Sequence, residues 1–141
     1  RSIRCFGAIV VGVYADHRAN TLFSADERVG MLREATSGFE TIAVQSYAGL
    51  TVDFAKEVGA GVLIRGLRAF SDFEYEFAQS AMNRRLDADM DTVFFLASPE
   101  HAFVSSSLVR EIGALGRSVA EFVPTNVAGA VAEKFAGAPR R

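Results

Sequence analysis

The sequence predicts an α/β fold, a doubly wound parallel sheet with helices on both faces. Three observations point there. Short apolar runs alternate with stretches of helical periodicity along the chain. The runs are continuous rather than alternately apolar and polar, as in strands covered on both sides. No repeat, linker or low-complexity block interrupts them, so residues 1–136 read as one domain and 137–141 as a frayed tail.

Each element has its own signal. Ile3 and Phe6 lie one helical turn apart and Gly7 follows, the pattern of a helix's last turn. A helix that opens on its last turn implies sequence upstream of Arg1. Residues 8–14 (A-I-V-V-G-V-Y) form the first strand, followed by a polar loop, 15–23. Ser24 and Glu27 form a capping box. The helix behind them carries Val29, Leu32 and Ala35 on one face and ends near Gly38. Residues 41–45 are a second strand. Residues 51–58 are a short helix with Val52, Phe54, Ala55 and Val58 inward. Residues 62–64 are a third strand. Ser71 and Glu74 form a second capping box, opening a long helix to about Leu86. Residues 92–97 are a fourth strand, closed by Ser98 and Pro99. The serines at 105–107 start a helix through Leu115, stopped by Gly116. Pro124 fits the first turn of a last helix, 125–135. A strand and helix before Arg1 would make the sheet Rossmann-like.

Composition narrows the function. Half the residues are hydrophobic and 23% charged, which is globular rather than disordered. A net charge of −2 removes a global electrostatic case for gripping nucleic acid or an anionic membrane. Cys5 is the single cysteine, which excludes an internal disulfide and a Cys-rich metal site. His17 and His101 form no ligand pair, and no protein-held metal is expected. The apolar runs fall short of the roughly 20 residues that span a bilayer. No charged-then-apolar leader opens the chain, and the expected location is cytoplasmic.

In such sheets ligands bind beyond the carboxyl ends of the strands. That selects residues 15–23, 46–50, 65–70 and 98–104. Arg65 ends an apolar run, where a cation is costly unless used. Gly66 opens the backbone to a ligand, and Arg68 adds a second guanidinium. Together they suit phosphate or carboxylate; salt bridges to Asp72, Glu74 or Glu76 are the alternative. Ser105, Ser106 and Ser107 offer amides and hydroxyls at a helix start, a neutral anion site aided by the helix dipole. Plain N-capping is the alternative there. No P-loop, G-x-G-x-x-G turn or G-x-S-x-G elbow occurs.

At these residues the chain resembles a known family. V-L-I-R-G-L-R-A-F-S-D-F-E-Y-E, residues 62–76, looks like the signature stretch of bacterial phosphopantetheine adenylyltransferases. Phe23-Ser24 with Glu27-Arg28-Val29, then Met82-Asn83-Arg84, then residues 103–111 (F-V-S-S-S-L-V-R-E) agree in order and spacing. The resemblance implies transfer of an adenylyl group from ATP to 4′-phosphopantetheine, giving dephospho-coenzyme A and pyrophosphate. It implies that Arg65 contacts phosphopantetheine and that Thr51 touches the pantetheine arm. Gly66, Leu67 and Arg68 would lie at ATP, with Arg68 stabilising phosphate charge, and Glu76 at the nucleotide. His101, Ala102, Phe103, Val104, Ser105, Ser106 and Ser107 would cradle adenine and triphosphate. Mg2+ would ride on the ATP phosphates with few protein ligands.

Departures accompany the match. The family's T-F-D-P and H-x-G-H motifs are absent, and neither His17 nor His101 stands in place of their histidine. That donor, worth about 3–4 kcal/mol at the α-phosphate, is expected upstream of Arg1. Where the family has a lysine four residues before Phe23, Ala19 stands here beside Arg18. Two further readings stay open: a related nucleotidyltransferase with another acceptor, and a nucleotide-binding module without turnover. In the long helix, Phe73, Phe77, Ala81 and Arg84 share one face, expected to pack on the sheet. Tyr75, Met82 and Leu86 lie about half a turn away and need another cover. A neighbouring subunit would supply it, in line with the family's hexamers built as dimers of trimers, with Arg84 and Arg85 at the interface rim.

Overall fold

The computed structural model describes residues 1–15 and 21–136, without the Ser71 side chain. The readings on His17, Arg18, Ala19 and the tail therefore lie outside the described residues. The elements are α1 (Ser2–Phe6), β1 (Ile9–Tyr14), α2 (Ala25–Ala35), β2 (Ile42–Tyr47), α3 (Thr51–Glu57), β3 (Val62–Leu67), α4 (Phe70–Leu86), β4 (Asp91–Leu96), α5 (Pro99–Ala102), α6 (Ser106–Ala114) and α7 (Thr125–Ala136).

Local chemistry explains most boundaries. Gly7, at φ 75°, closes α1 by donating its N–H to the Ile3 carbonyl at 2.8 Å. The first capping box is formed: Ser24 N–H reaches Glu27 Oε2 at 2.7 Å and Glu27 N–H reaches Ser24 Oγ at 3.1 Å. The second is not. Helix α4 begins two residues earlier than expected, with Ala69 at its N-cap, so Ser71 lies inside its first turn. In that same turn the Asp72 carboxylate is bound to Arg68. Pro124 stands just before α7 and accepts from Ala128 N–H at 2.9 Å. Helix α5 breaks a stretch expected to be loop.

Strands β1 and β2 pair in parallel with Ile9 against Ile42 and Tyr14 against Tyr47. Alternation then puts Val11, Val13, Ile42 and Val44 on one face, where they pack with Val29 and Leu32 of α2. Gly12 and Tyr47 occupy the other face, against Phe54 of α3. Two successive helices thus cover opposite sides, which is the double winding the sequence predicts. A Cβ at Gly12 would stand 2.8 Å from the Phe54 ring and 3.1 Å from Tyr47, so only glycine admits this packing.

β3 and β4 pair in parallel from Val62 against Asp91 to Leu67 against Leu96. The strand therefore runs three residues past its apolar sequence. Arg65, Gly66 and Leu67, expected in a loop, are held in register by β4. The four strands form two pairs rather than one continuous sheet among the described residues. Residues 8–12 and 60–65 face each other across a cavity of about 500 Å³, so the main-chain groups of β1 and β3 do not meet.

Two further clusters complete the core. Val52, Ala55 and Met90 pack with Leu63. Val109, Val119 and Val131 join Leu22, Phe23, Val104 and Phe135, which seats α6 against α7. Asn126 Nδ2 donates to the Met31 carbonyl at 2.9 Å, and Lys134 pairs with Glu27 at 2.7 Å, tying α7 to α2.

Helix α4 reverses an expectation. Phe73 and Phe77 are 47% and 59% exposed rather than packed on the sheet. The half-buried residues are Asp72, Glu76, Gln79, Ser80 and Asn83, a stripe at helical spacing. This helix turns its polar side to the rest of the chain because two arginines wait there. Arg84, expected at a subunit rim, pairs with Asp91 at 3.1 Å.

Candidate active site

The site is built around the end of β3 and the first turns of α4 and α6. Arg65, held in β3 opposite Phe94, sends its guanidinium to Glu76 of α4 in a two-point pair. Nε–H donates to Oε2 at 2.7 Å and Nη2–H to Oε1 at 2.6 Å. The Glu76 carboxylate raises the Arg65 pKa above its ordinary value, so this group keeps its charge. Of the two sequence readings of Arg65, the structure displays the salt bridge. An incoming phosphate would meet a fork already aimed by that pair.

Arg68 lies just past the strand. Its main-chain N–H reaches Asp72 Oδ2 at 3.2 Å, Nε–H the same oxygen at 3.1 Å, and Nη2–H reaches Oδ1 at 3.4 Å. These bonds hold the Asp72 carboxyl below the usual aspartate range. On its other side, Nη1–H of Arg68 donates to the Val104 carbonyl at 3.2 Å. Val104 directly precedes Ser105, the N-cap of α6, whose Oγ accepts from Leu108 N–H at 3.3 Å. A guanidinium and a helix N-terminus of like electrostatic sign are thereby set side by side.

Between the arginines, Gly66 is exposed, and a Cβ there would meet only open space, which leaves its main chain approachable. Leu67 differs from the implied role: its side chain is 9% exposed, in the core, and its carbonyl accepts from Ala97 N–H at 2.8 Å. At this position only the main chain borders the site.

The serine stretch is anchored rather than loose. Val104 packs into the α6–α7 core, and Phe103 stands edge-on to Phe122 with centroids 6.3 Å apart. His101 is exposed and Ala102 half-buried, both in the short helix α5. Ser105 serves as a cap, the plainer of its two readings, while Ser106 and Ser107 stay exposed. Arg110 is a further residue of this site that the sequence reading passes over. It folds back on the first turn, Nε–H to the Ser106 carbonyl at 3.2 Å and Nη2–H to Ser107 Oγ at 3.4 Å. Its spacing of three and four residues from the serines was the available signal.

Thr51, first residue of α3, is half-buried and shares a hydrogen bond of 3.0 Å with the Tyr47 hydroxyl. The Tyr47 ring stacks on Phe54 at 4.5 Å and meets Tyr14 edge-on at 5.4 Å. Thr51, Tyr47 and Arg65 all line the cavity between β1 and β3. Residues 66–68 and 101–107 lie outside its walls, so the implied acceptor and nucleotide residues fall into two groups, except Glu76, implied at the nucleotide but paired with Arg65. Among the described residues no cluster of three His, Cys, Asp or Glu is placed to hold a metal ion. Nor is any helix among them long and apolar enough to cross a membrane.

Comparison with known proteins identifies the family. Residues 1–112 match the Cytidylyltransferase-like family. A phosphopantetheine adenylyltransferase of Moorella thermoacetica is 45% identical over 127 residues, 90% of this chain and 79% of the relative. One of Lachnoclostridium phytofermentans is 42% identical over 137 residues, 97% of this chain and 84% of the relative. Matching that family model over residues 1–112 and standing 42–45% identical to these relatives over most of its length, the chain belongs to the phosphopantetheine adenylyltransferase family.

Proposed function

We propose that this chain transfers the adenylyl group of ATP to 4′-phosphopantetheine, releasing pyrophosphate and forming dephospho-coenzyme A in coenzyme A biosynthesis. The observation that carries the reading is Arg68, tied to Asp72 on one side and to the residue before the α6 cap on the other. A fixed cation beside free helix amides is what a triphosphate requires.

The chemistry needs no nucleophilic side chain. An oxygen of the acceptor phosphate attacks the α-phosphorus in line. The new P–O bond forms as the bond to the β-phosphate's bridging oxygen breaks, and pyrophosphate leaves with those electrons. The protein contributes position and charge. Arg68, the amides at the start of α6 and the hydroxyls of Ser106 and Ser107 stabilise charge on the nucleotide. Residues 101–104 border the adenine side with the main chain of residues 66–67, while Glu76, which the family resemblance puts at the nucleotide, acts by orienting Arg65. Arg65 and Thr51, sharing a cavity, take the acceptor. Mg2+ enters on the ATP phosphates; the nearby carboxylates Asp72 and Glu76 are engaged by arginines, which supports few protein ligands for it.

The protein works as a cytoplasmic homo-oligomer, a hexamer built as a dimer of trimers. The exposed apolar side of α4 supports this, Tyr75 and Met82 being 62% and 65% exposed. Pyrophosphate release by the intact protein, supplied with ATP and 4′-phosphopantetheine, tests the activity. Release that requires both substrates is expected; release with ATP and a different acceptor alone would overturn it.

A further inference from the structure

We infer that Asp72 is a positioning residue for ATP, acting wholly through Arg68. This rests on the placing of Arg68 at the ATP phosphates proposed above. An acid in the first turn of a helix ordinarily serves the helix, by bonding the cap or meeting the dipole. Asp72 does meet the main-chain N–H of Ala69 at the cap, but its larger interactions run back over the preceding loop to Arg68. It accepts from the Arg68 main chain, from Nε–H and from Nη2–H, so one carboxylate fixes both where Arg68 leaves the backbone and how its fork is rotated.

Rotation is what matters here. An arginine held only through its stem sweeps a wide arc and loses side-chain entropy when it meets an anion. With two of the three guanidinium nitrogens on Asp72, the third, Nη1, donates to the Val104 carbonyl at the mouth of α6. The guanidinium therefore links Asp72 of α4 to the residue that precedes the α6 cap. Asp72 touches no phosphate itself, since two anions would repel. It spends its charge on orientation and leaves the remaining N–H bonds of Arg68 to the ligand. The held carboxyl lies below the usual aspartate range, so the restraint persists across the working pH.

The test is a double-mutant cycle on the intact protein with Asp72→Ala, Arg68→Ala and the pair. Readouts are the ATP dissociation constant by calorimetry, KM for each substrate, and melting temperature. Asp72→Ala is expected to weaken ATP roughly tenfold and to leave the phosphopantetheine KM unchanged. In the Arg68→Ala background it is expected to do nothing further. Asp72→Asn, which keeps the shape and one acceptor oxygen, is expected to fall between. Additive losses in the double variant, or equal rises in KM for both substrates, would overturn the inference and leave the proposed function standing. An Arg68→Ala variant with unchanged ATP affinity would overturn the placing of Arg68 at the nucleotide as well.

Discussion

Arg65 of β3 and Glu76 of α4 face each other through two parallel hydrogen bonds of 2.7 and 2.6 Å. One helical turn earlier on the same face of α4, Asp72 holds Arg68. The helix therefore aims both arginines of the site, and the two do so on different sides of the strand end, Arg65 lining the cavity and Arg68 reaching toward α6.

That division predicts a split in substrate effects. Arg65→Ala is expected to raise the KM for phosphopantetheine more than that for ATP, and Arg68→Ala the reverse. Steady-state kinetics with each substrate varied in turn decide it. Equal losses for both substrates would remove the assignment.

Glu76→Gln is expected to follow Arg65 rather than the nucleotide. Loss of the charge frees the guanidinium to turn, so the acceptor KM rises. A rise confined to the ATP KM would instead place this carboxylate on the nucleotide, as the family resemblance implies.

Two glycines predict opposite signs. At Gly12 a methyl group would press on Phe54 and Tyr47, so Gly12→Ala is expected to cost about 1–3 kcal/mol. Gly30, exposed within α2, has nothing within 4 Å of that position. There Gly30→Ala is expected to gain roughly 0.5–1 kcal/mol from helix propensity. Urea unfolding of the two variants measures both.

Acid stability should report the Arg68 pair. Asp72 has its folded pKa lowered by Arg68 from an ordinary value of 3.8. Its contribution is complete above that unfolded value and is lost as pH falls through the folded one. The stability gap between the natural protein and Asp72→Asn should hold constant near neutrality and close below about pH 4. Glu27, lowered chiefly by its hydrogen bond to Lys134, should behave alike in Glu27→Gln. A gap that widens in acid would contradict both.

Assembly is tested on the outer face of α4. Tyr75→Glu and Met82→Glu are expected to lower the mass seen by light scattering while the fold, followed by circular dichroism, is retained. A monomer of the natural protein at micromolar concentration, with both variants harmless, would show that this face binds no second copy.

What the sequence determined is what neighbours along the chain decide. Apolar runs separated by helical periods specify four parallel strands and the helices between them. Ser24 with Glu27 starts α2, Gly7 ends α1, and Ser105 caps α6, because each of these caps is made between residues within one turn. The arginine pair and the serine run also stand out in sequence, as costly or clustered polar groups at strand ends. Tertiary structure decided the rest. Arg65, Gly66 and Leu67 are strand because β4 offers them a ladder, which their side chains do not announce. Phe73 and Phe77 face outward, and Asp72 and Glu76 inward, against the hydrophobic pattern of α4. Bidentate pairing with two arginines outweighs the burial of two rings there, and those bonds span up to eleven residues and two elements. Periodicity reports which side of a helix is apolar; only the assembled fold shows what waits on each side.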